Sequence, residues 1–263
     1  MKICVSINHM GLGDMFTMNG AIRYLSENYD KVIVTCKDIY IDTIKQMFSD
    51  NNKIFVISVK TNGCVIDKSD KIFNLFNNEN SIYKISGTND IDSWNNTDGI
   101  YYIRFYKQIG LDYYNIRLKY EKIYRNYKNE IEFKDMCMKK YDKGYIFTHD
   151  HRGYIRHYDP RACVFVNTND DIPIFHPNIN YYYADQDNKY YNNWMNIISS
   201  NLLDYCKILE DATEIHITDS SFFCLCAYLD LSKVNKKYVY TKFTKETLID
   251  YHSSFSDWTV IYN

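Results

Sequence analysis

Ile3-Cys4-Val5-Ser6-Ile7-Asn8-His9-Met10-Gly11-Leu12-Gly13-Asp14-Met15, running on to Ala21-Ile22-Arg23-Tyr24-Leu25, is the stretch that decides the fold. An apolar run ends in a glycine-containing turn, and an aspartate follows where a helix should begin. The pattern reads as strand, tight turn, helix. Gly11 and Gly13 let the backbone bend and bring other groups close, and Asp14 suits the orphan N–H groups of a first helical turn. The same geometry leaves the Asp14 carboxylate at the mouth of a sheet. In open parallel sheets ligands bind there, beyond the carboxyl ends of the strands.

Working outward, residues 2–8 read as a buried strand and 14–28 as a helix with Met15, Met18, Ile22 and Leu25 on one stripe. Val32-Ile33-Val34 gives a second strand, residues 39–49 a second helix through Ile41, Ile44 and Phe48, and Ile54-Phe55-Val56-Ile57 a third strand. A β-α-β-α-β series with short connections implies a parallel sheet with right-handed crossovers. Beyond it the sequence predicts a strand over Lys71–Leu75, a polar loop over 77–98 and a helix from Tyr101 to Ile109 closed by Gly110. The Tyr-, Lys- and Arg-rich stretch from Tyr113 to Asn126 reads as a link toward a second unit, with the boundary in the hydrophilic residues 127–142.

The second half restarts the series with a strand over Gly144–His149 and a polar turn Asp150-His151-Arg152-Gly153. Short strands are expected at Val164–Val166 and Ile172–Phe175, and a helix over 194–209 carried by Ile197, Ile198, Leu202, Tyr205 and Leu209. A strand at Glu214–Thr218, a turn at Asp219-Ser220-Ser221 and a helix from Phe222 to Leu229 follow, with Val239-Tyr240 and Val260–Tyr262 closing the sheet. The fold class expected is α/β, with two Rossmann-like domains, 1–135 and 136–263, facing a cleft.

Composition narrows the function classes. The chain has 263 residues, enough for two such domains, and 46% of them are hydrophobic. The 27 tyrosines, beside abundant Asn, Ile and Lys, read as codon bias before any binding function. Net charge is −2, from 31 basic and 33 acidic residues with no basic block, so no nucleic-acid footprint is expected. No apolar run reaches the ~20 residues of a membrane span, and the N-terminus enters a strand directly, without a signal-peptide pattern. Eight cysteines are scattered through apolar runs without a Cys-x-x-Cys pair. They suit reduced core positions in a cytoplasmic protein.

Two strand-turn-helix junctions stand out, one per half: His9 to Asp14 and Thr218 to Ser221. At the second, the backbone N–H groups of a helix start and two serine hydroxyls offer donors to an anion such as phosphate. The plainer reading is that Asp219 or Ser220 caps a helix, as Asp14 would cap the first. Together, Gly11-Leu12-Gly13-Asp14 with its helix, and Ile217-Thr218-Asp219-Ser220-Ser221 followed by Ala227-Tyr228-Leu229, resemble the two end motifs of heptosyltransferase-like glycosyltransferases of the GT-B fold. The resemblance covers two short blocks in the family's order, with the middle of the chain unmatched. It implies that Asp14 is the catalytic base, with His9 an orienting neighbour or substitute, and that Asp219, Ser220 and Ser221 receive the donor diphosphate. Cys224 stands where the family's late motif commonly has His, and Asn19-Gly20 near where its first helix has proline, so those contacts do not carry over.

A departing diphosphate also needs positive charge, and Arg152, with Arg156 in reserve, is the candidate, because a guanidinium grips phosphate oxygens through paired donors. The function expected is transfer of a sugar from a nucleotide-diphosphate sugar to the hydroxyl of a glycan or other acceptor, with inversion by analogy. The nucleotide sugar is a co-substrate and no resident cofactor is expected. His149-Asp150-His151 and Asp185-Gln186-Asp187 contain ligand-type residues, but the resemblance implies a metal-independent reaction. The N-terminal domain then takes the acceptor and the C-terminal domain the donor. The alternatives are a nucleotide-sugar epimerase or hydrolase on the same fold, and a non-catalytic sugar-nucleotide or glycan-binding module.

Overall fold

The computed structural model describes residues 1–7, 11–61, 69–76, 80–86, 101–138, 144–149, 172, 174–175, 177 and 199–262. Its contacts divide the chain into two units, Met1–Arg125 and Asn126–Asn263, earlier in sequence than the boundary expected at 135.

In the first unit β1 (Ile3–Ile7) is buried along its whole length, Cys4 and Ser6 as well as Ile3, Val5 and Ile7, as a strand covered on both faces of a parallel sheet should be. Helix α1 (Leu12–Asn28) follows, then β2 (Lys31–Lys37), a 3-10 turn at Asp38–Tyr40, α2 (Ile41–Met47) and β3 (Ile54–Val59). The expected stripe of Met15, Met18, Ile22 and Leu25 is buried, and so is the far side of α1, including Asn19, Gly20 and Arg23. Helix α3 (Ser69–Phe76) occupies the segment expected as a strand over Lys71–Leu75. Ile72, Phe73 and Phe76 share a helical face and pack on the cluster Ile3, Val5, Ile7 and Ile33, while Leu75 points to solvent. A short apolar run fits strand or helix equally, and tertiary packing decides.

The strand lies a little later, at β4 (Ser81–Ile85), inside the stretch expected as loop; it pairs with β1 in parallel, Val5 opposite Tyr83. Sheet order is β3-β2-β1-β4. Helix α4 (Tyr101–Gln108) ends as expected at Gly110, whose φ of +77° suits glycine. There the N–H groups of Gly110 and Leu111 close on the carbonyls of Lys107 and Tyr106.

Residues 113–126 are not a link. Tyr113–Tyr120 forms α5, which packs on α1 through Tyr113, Ile116 and Arg117. Arg117 is 1% exposed and pairs with Glu121 at 2.8 Å. The approach is close because Gly20 lacks a side chain: a Cβ there would meet the Tyr106 hydroxyl at 3.0 Å and the Arg117 backbone at 3.1 Å. Tyr106 reaches into α1, accepting from the Ala21 N–H at 3.1 Å and donating to the Thr17 carbonyl at 3.1 Å. Asn19 and Arg23 bind the Lys122 carbonyl, each at 2.7 Å, and Arg23 also bridges Asp50 at 2.8 Å. These buried polar ties fasten the segment after α5 to the first unit.

The second unit opens with α6 (Tyr127–Met138), which packs against a 3-10 turn (Leu202–Tyr205) and α7 (Cys206–Glu210). Its sheet is parallel throughout: β5 (Ile146–His149), β6 (Ile174–Phe175), β7 (Glu214–Thr218), β8 (Lys236–Thr241) and β9 (Thr259–Tyr262), in the order β6-β5-β7-β8-β9. Helix α8 (Ser221–Cys226) joins β7 to β8, and α9 (Lys245–Tyr251) joins β8 to β9. The helix expected over 194–209 is not continuous, since residues 199–201 are not helical. Asn201 accepts from the Leu203 N–H at 3.1 Å and so starts the 3-10 turn itself. The strand expected at Val164–Val166 lies outside the described residues. Phe223, Tyr251, Phe255 and Trp258 form an aromatic layer under α8, with Phe223 and Phe255 stacked at 4.1 Å. Cys4, Cys36, Cys137, Cys206, Cys224 and Cys226 are buried free thiols, and burial pushes Cys4 and Cys36 up to about 12. No helix among the described residues is long and apolar enough to cross a membrane.

Candidate functional site

Both sheets contain a topological switch, where the chain leaves one strand for neighbours on opposite sides. In the first unit it lies between β1 and β4, and in the second between β5 and β7. Ligands of open α/β sheets bind outside the carboxyl ends of the strands at such points.

At the first switch the Ser86 N–H donates to the Ile7 carbonyl at 3.0 Å, tying the ends of β4 and β1 together. Helix α1 starts at Leu12, so Gly13 is already helical, and Gly11 is the capping residue. Glycine has no side chain to offer as a cap. Asp14 supplies the acceptor instead, its Oδ2 taking the Gly11 N–H at 2.8 Å. A Cβ on Gly11 would meet that oxygen at 3.2 Å, so the glycine makes room for the aspartate's return. The half-buried Asp14 carboxylate thus does cap the helix start. His9 lies outside the described residues.

At the second switch β5 ends at His149 and β7 at Thr218, with His149 opposite Ile217 in the ladder. Ser220 is the capping residue of α8, yet its side chain makes no cap hydrogen bond. Its Oγ stands 3.1 Å from His149 Nδ1. The imidazole, 6% exposed, also packs on Phe222 at 4.7 Å between ring centroids. Phe222 is wedged by Phe147 at 5.2 Å and Tyr205 at 5.4 Å. Asp219 and Ser221 are half-buried beside this pair, and Cys224 is buried. Arg152, Arg156, the rest of the His149-Asp150-His151 cluster and Asp185-Gln186-Asp187 lie outside the described residues. Among the described residues no group of three or more His, Cys, Asp or Glu side chains has a metal-binding arrangement. Sequence reading noticed His149 only as part of a ligand-rich cluster; its place at the end of a strand beside the switch is the signal that singles it out.

Farther down β7, a polar chain runs from Lys236 through Glu214 and His216 to Tyr240. Lys236 Nζ lies 2.7 Å from Glu214, Glu214 3.3 Å from His216 Nε2, and His216 Nδ1 3.0 Å from the Tyr240 hydroxyl. Burial holds His216 below the usual histidine range, against the weaker upward pull of Glu214. Burial alone would raise Glu214, but hydrogen bonds from Lys236 and His216 outweigh it and keep the carboxyl low.

No protein-family model and no curated protein matches the sequence. Among the solved structures that match the fold, two cover the whole chain and have TM-scores above 0.5. One is the glycosyl transferase family 9 protein from Veillonella parvula, 11% identical with a TM-score of 0.55, covering 100% of this chain and 86% of that one. The other is E. coli ADP-heptose lps heptosyltransferase II, 9% identical with a TM-score of 0.53, covering 100% and 90%. The likeness is one of fold, and it falls on the GT-B-like α/β class that the two motifs point to.

Proposed function

We propose that this chain is a glycosyltransferase that moves a sugar from a nucleotide-diphosphate sugar to an acceptor hydroxyl, without a metal ion and with inversion. The observation that carries the reading is a GT-B-like fold over the whole chain, with each motif turn following a strand that borders its sheet's switch. In this reading the first unit takes the acceptor and the second the donor. Asp14 accepts the proton of the acceptor hydroxyl as its oxygen attacks the anomeric carbon. The bond from that carbon to the phosphate oxygen breaks, and its electrons leave with the diphosphate. Donors from the Asp219-Ser220-Ser221 turn and the guanidinium of Arg152 or Arg156 stabilise the departing charge.

A carboxylate that already accepts one N–H keeps lone pairs for a second partner, so capping and base roles are chemically compatible in Asp14. The direct test is a thermal-shift screen of nucleotide sugars, followed by mass-spectrometric detection of sugar transfer to hydroxyl acceptors. A ligand that binds only the folded state raises the melting temperature with concentration. A shift with one donor class, and a transferred sugar, are expected. A shift with donor cleavage but no acceptor product would favour a hydrolase, and no shift with any nucleotide sugar would sink the reading.

A further inference from the structure

We propose that β3 is an interface strand, through which two copies of this chain join antiparallel into one continuous sheet. The inference concerns assembly and does not depend on the glycosyl-transfer reading. β3 (Ile54–Val59) ends the first unit's sheet and, among the described residues, pairs only with β2. In a parallel pair the N–H and C=O of one residue face the neighbouring strand, and those of the next residue face away from it. The Val32 N–H donates to the Lys53 carbonyl at 2.8 Å, which sets the phase. Lys53, Phe55 and Ile57 therefore turn their backbone groups to β2, and Ile54, Val56 and Ser58 turn theirs outward. The Ile54 N–H goes back to the Asn51 carbonyl at 3.2 Å. Val56 and Ser58 are left with an outward row of donors and acceptors, which is the template on which another strand adds.

Edge strands are ordinarily blunted by a charge, a proline, a bulge or shortness. Among the described residues the other edges follow that rule, since β4 carries Lys84, β6 has two residues and β9 has four. β3 does not. Its six residues, Ile-Phe-Val-Ile-Ser-Val, hold no charge and no proline. Its register with β2 runs without a bulge from Ile54 to Val59. Phe55 is 45% exposed, with the Lys31 ammonium 4.2 Å from its ring centroid.

The edge is its own complement. A two-fold axis at Ile57 sets Val56 opposite Ser58 of the second copy and Ser58 opposite Val56, and each pair exchanges both N–H···O=C bonds. Phe55 then meets Val59 across the seam, an aromatic and β-branched pair of the kind that stabilises sheets, and Ile57 meets its own copy. Lys60 falls opposite Ile54 and Lys53 opposite Thr61. A parallel pairing in register would instead set each lysine on its own copy, like charge against like. Charge and hydrogen bonding together select a second copy, antiparallel, as the occupant. The joined sheet runs β4-β1-β2-β3-β3-β2-β1-β4. Its two halves point in opposite directions, so the carboxyl ends of the two β1 strands open on opposite rims.

The test follows the mass of the full chain by sedimentation. A contact made by one short strand belongs with the small interfaces, below about 1,200 Å². The dimer should therefore appear as concentration rises through the range from roughly 1 µM to 1 mM. Val56→Pro deletes an outward N–H that no bond to β2 uses, and Phe55→Lys places a charge on the edge. Each should leave the chain monomeric over that range, with circular dichroism confirming the fold. Ile57→Cys reads the register. Facing residues of a non-hydrogen-bonded antiparallel pair lie about 4.5 Å apart between Cα atoms, inside the roughly 4.4–6.8 Å span of a disulfide. Mild oxidation should link two Ile57→Cys chains, with the unmutated chain as the blank, and Phe55→Lys in the same chain should abolish the link. Ser58→Cys, two residues out of register with its own copy, should not link. A chain monomeric up to about 1 mM, a dimer that Val56→Pro and Phe55→Lys both leave intact, or linking at Ser58 in place of Ile57 would overturn the inference.

Discussion

Asp14 is the residue at which capping and catalysis can be pulled apart. Its Oδ2 accepts the Gly11 N–H at 2.8 Å, and Gly11 has no side chain to take over that task. Asp14→Asn keeps a carbonyl oxygen for the N–H and loses only the charge at the helix start, worth about 0.3–1 kcal/mol. Asp14→Ala loses the acceptor as well, about 0.5–2 kcal/mol in total. Against a stability of roughly 5–15 kcal/mol, even the larger loss leaves nearly every molecule folded. Neither variant can therefore lose much turnover by unfolding. If Asp14 is the base, both should lose about 10²–10⁴ in kcat, with Asn as damaging as Ala. If it only caps, both should turn over normally, and the melting temperatures alone would rank Ala below Asn. The assay is release of nucleoside diphosphate from the preferred donor in the presence of acceptor, with thermal melts on the same samples. An Asn variant working within twofold of the unmutated chain would refute Asp14 as base.

Gly20→Ala should lower the melting temperature even though alanine is the better helix former by about 1 kcal/mol. The new methyl would press on the Tyr106 hydroxyl and the Arg117 backbone, and overpacking of this kind costs about 1–3 kcal/mol; a rise in melting temperature would mean that α5 moves aside freely. Gly144→Ala should cost at least about 1–2 kcal/mol in urea unfolding, because φ there is +87° and a Cβ would collide with the Thr213 hydroxyl; an unchanged midpoint would show that the turn before β5 is pliable. His216, held below its ordinary value of 6.5 mainly by burial, takes up a proton on unfolding before it does so in the fold. Its contribution to stability should therefore be complete above pH 6.5 and be lost as pH falls from there toward its lower folded value. His216→Gln should flatten urea midpoints measured from pH 7 down to pH 5, and an unchanged slope would contradict this.

The sequence patterns that read correctly are those whose burial is local or continuous. β1 is apolar but for Ser6 and α1 carries a stripe of Met15, Met18, Ile22 and Leu25, so each announces itself without help from the rest of the chain. The segments that misled are made by partners far away. Helix α5 buries an arginine, which sequence reading assigns to the surface until Glu121 is seen to pair with one end of its guanidinium and the Tyr113 hydroxyl to accept from the other. Ile72 and Phe73 look like strand residues until β1 and β2 are seen to supply the sheet face that their helix covers. β4 has an uneven, partly buried pattern and a lysine whose Nζ reaches the Ile109 carbonyl at 2.9 Å, so its alternation is weak. The Gly11–Asp14 junction was legible as a helix start for the same local reason as α1. The contact between His149 and Ser220 was not, because only the insertion of β5 between β6 and β7 brings those two positions together.

The two helix starts therefore differ in a way that bears on function. At α1 the local rule is obeyed: the aspartate in the first turn accepts the N–H of Gly11, the capping residue of its own helix. At α8 it is broken, since the serine in capping position turns to a histidine on another strand and gives up a stabilisation of about 1 kcal/mol. Departures from local consistency concentrate where a structure serves a ligand instead of its own stability. By that criterion the second unit's switch carries the stronger mark of a binding site. Asp14 meets the demands of the fold whether or not it takes a proton, so its role as base stands on the turnover of Asp14→Asn.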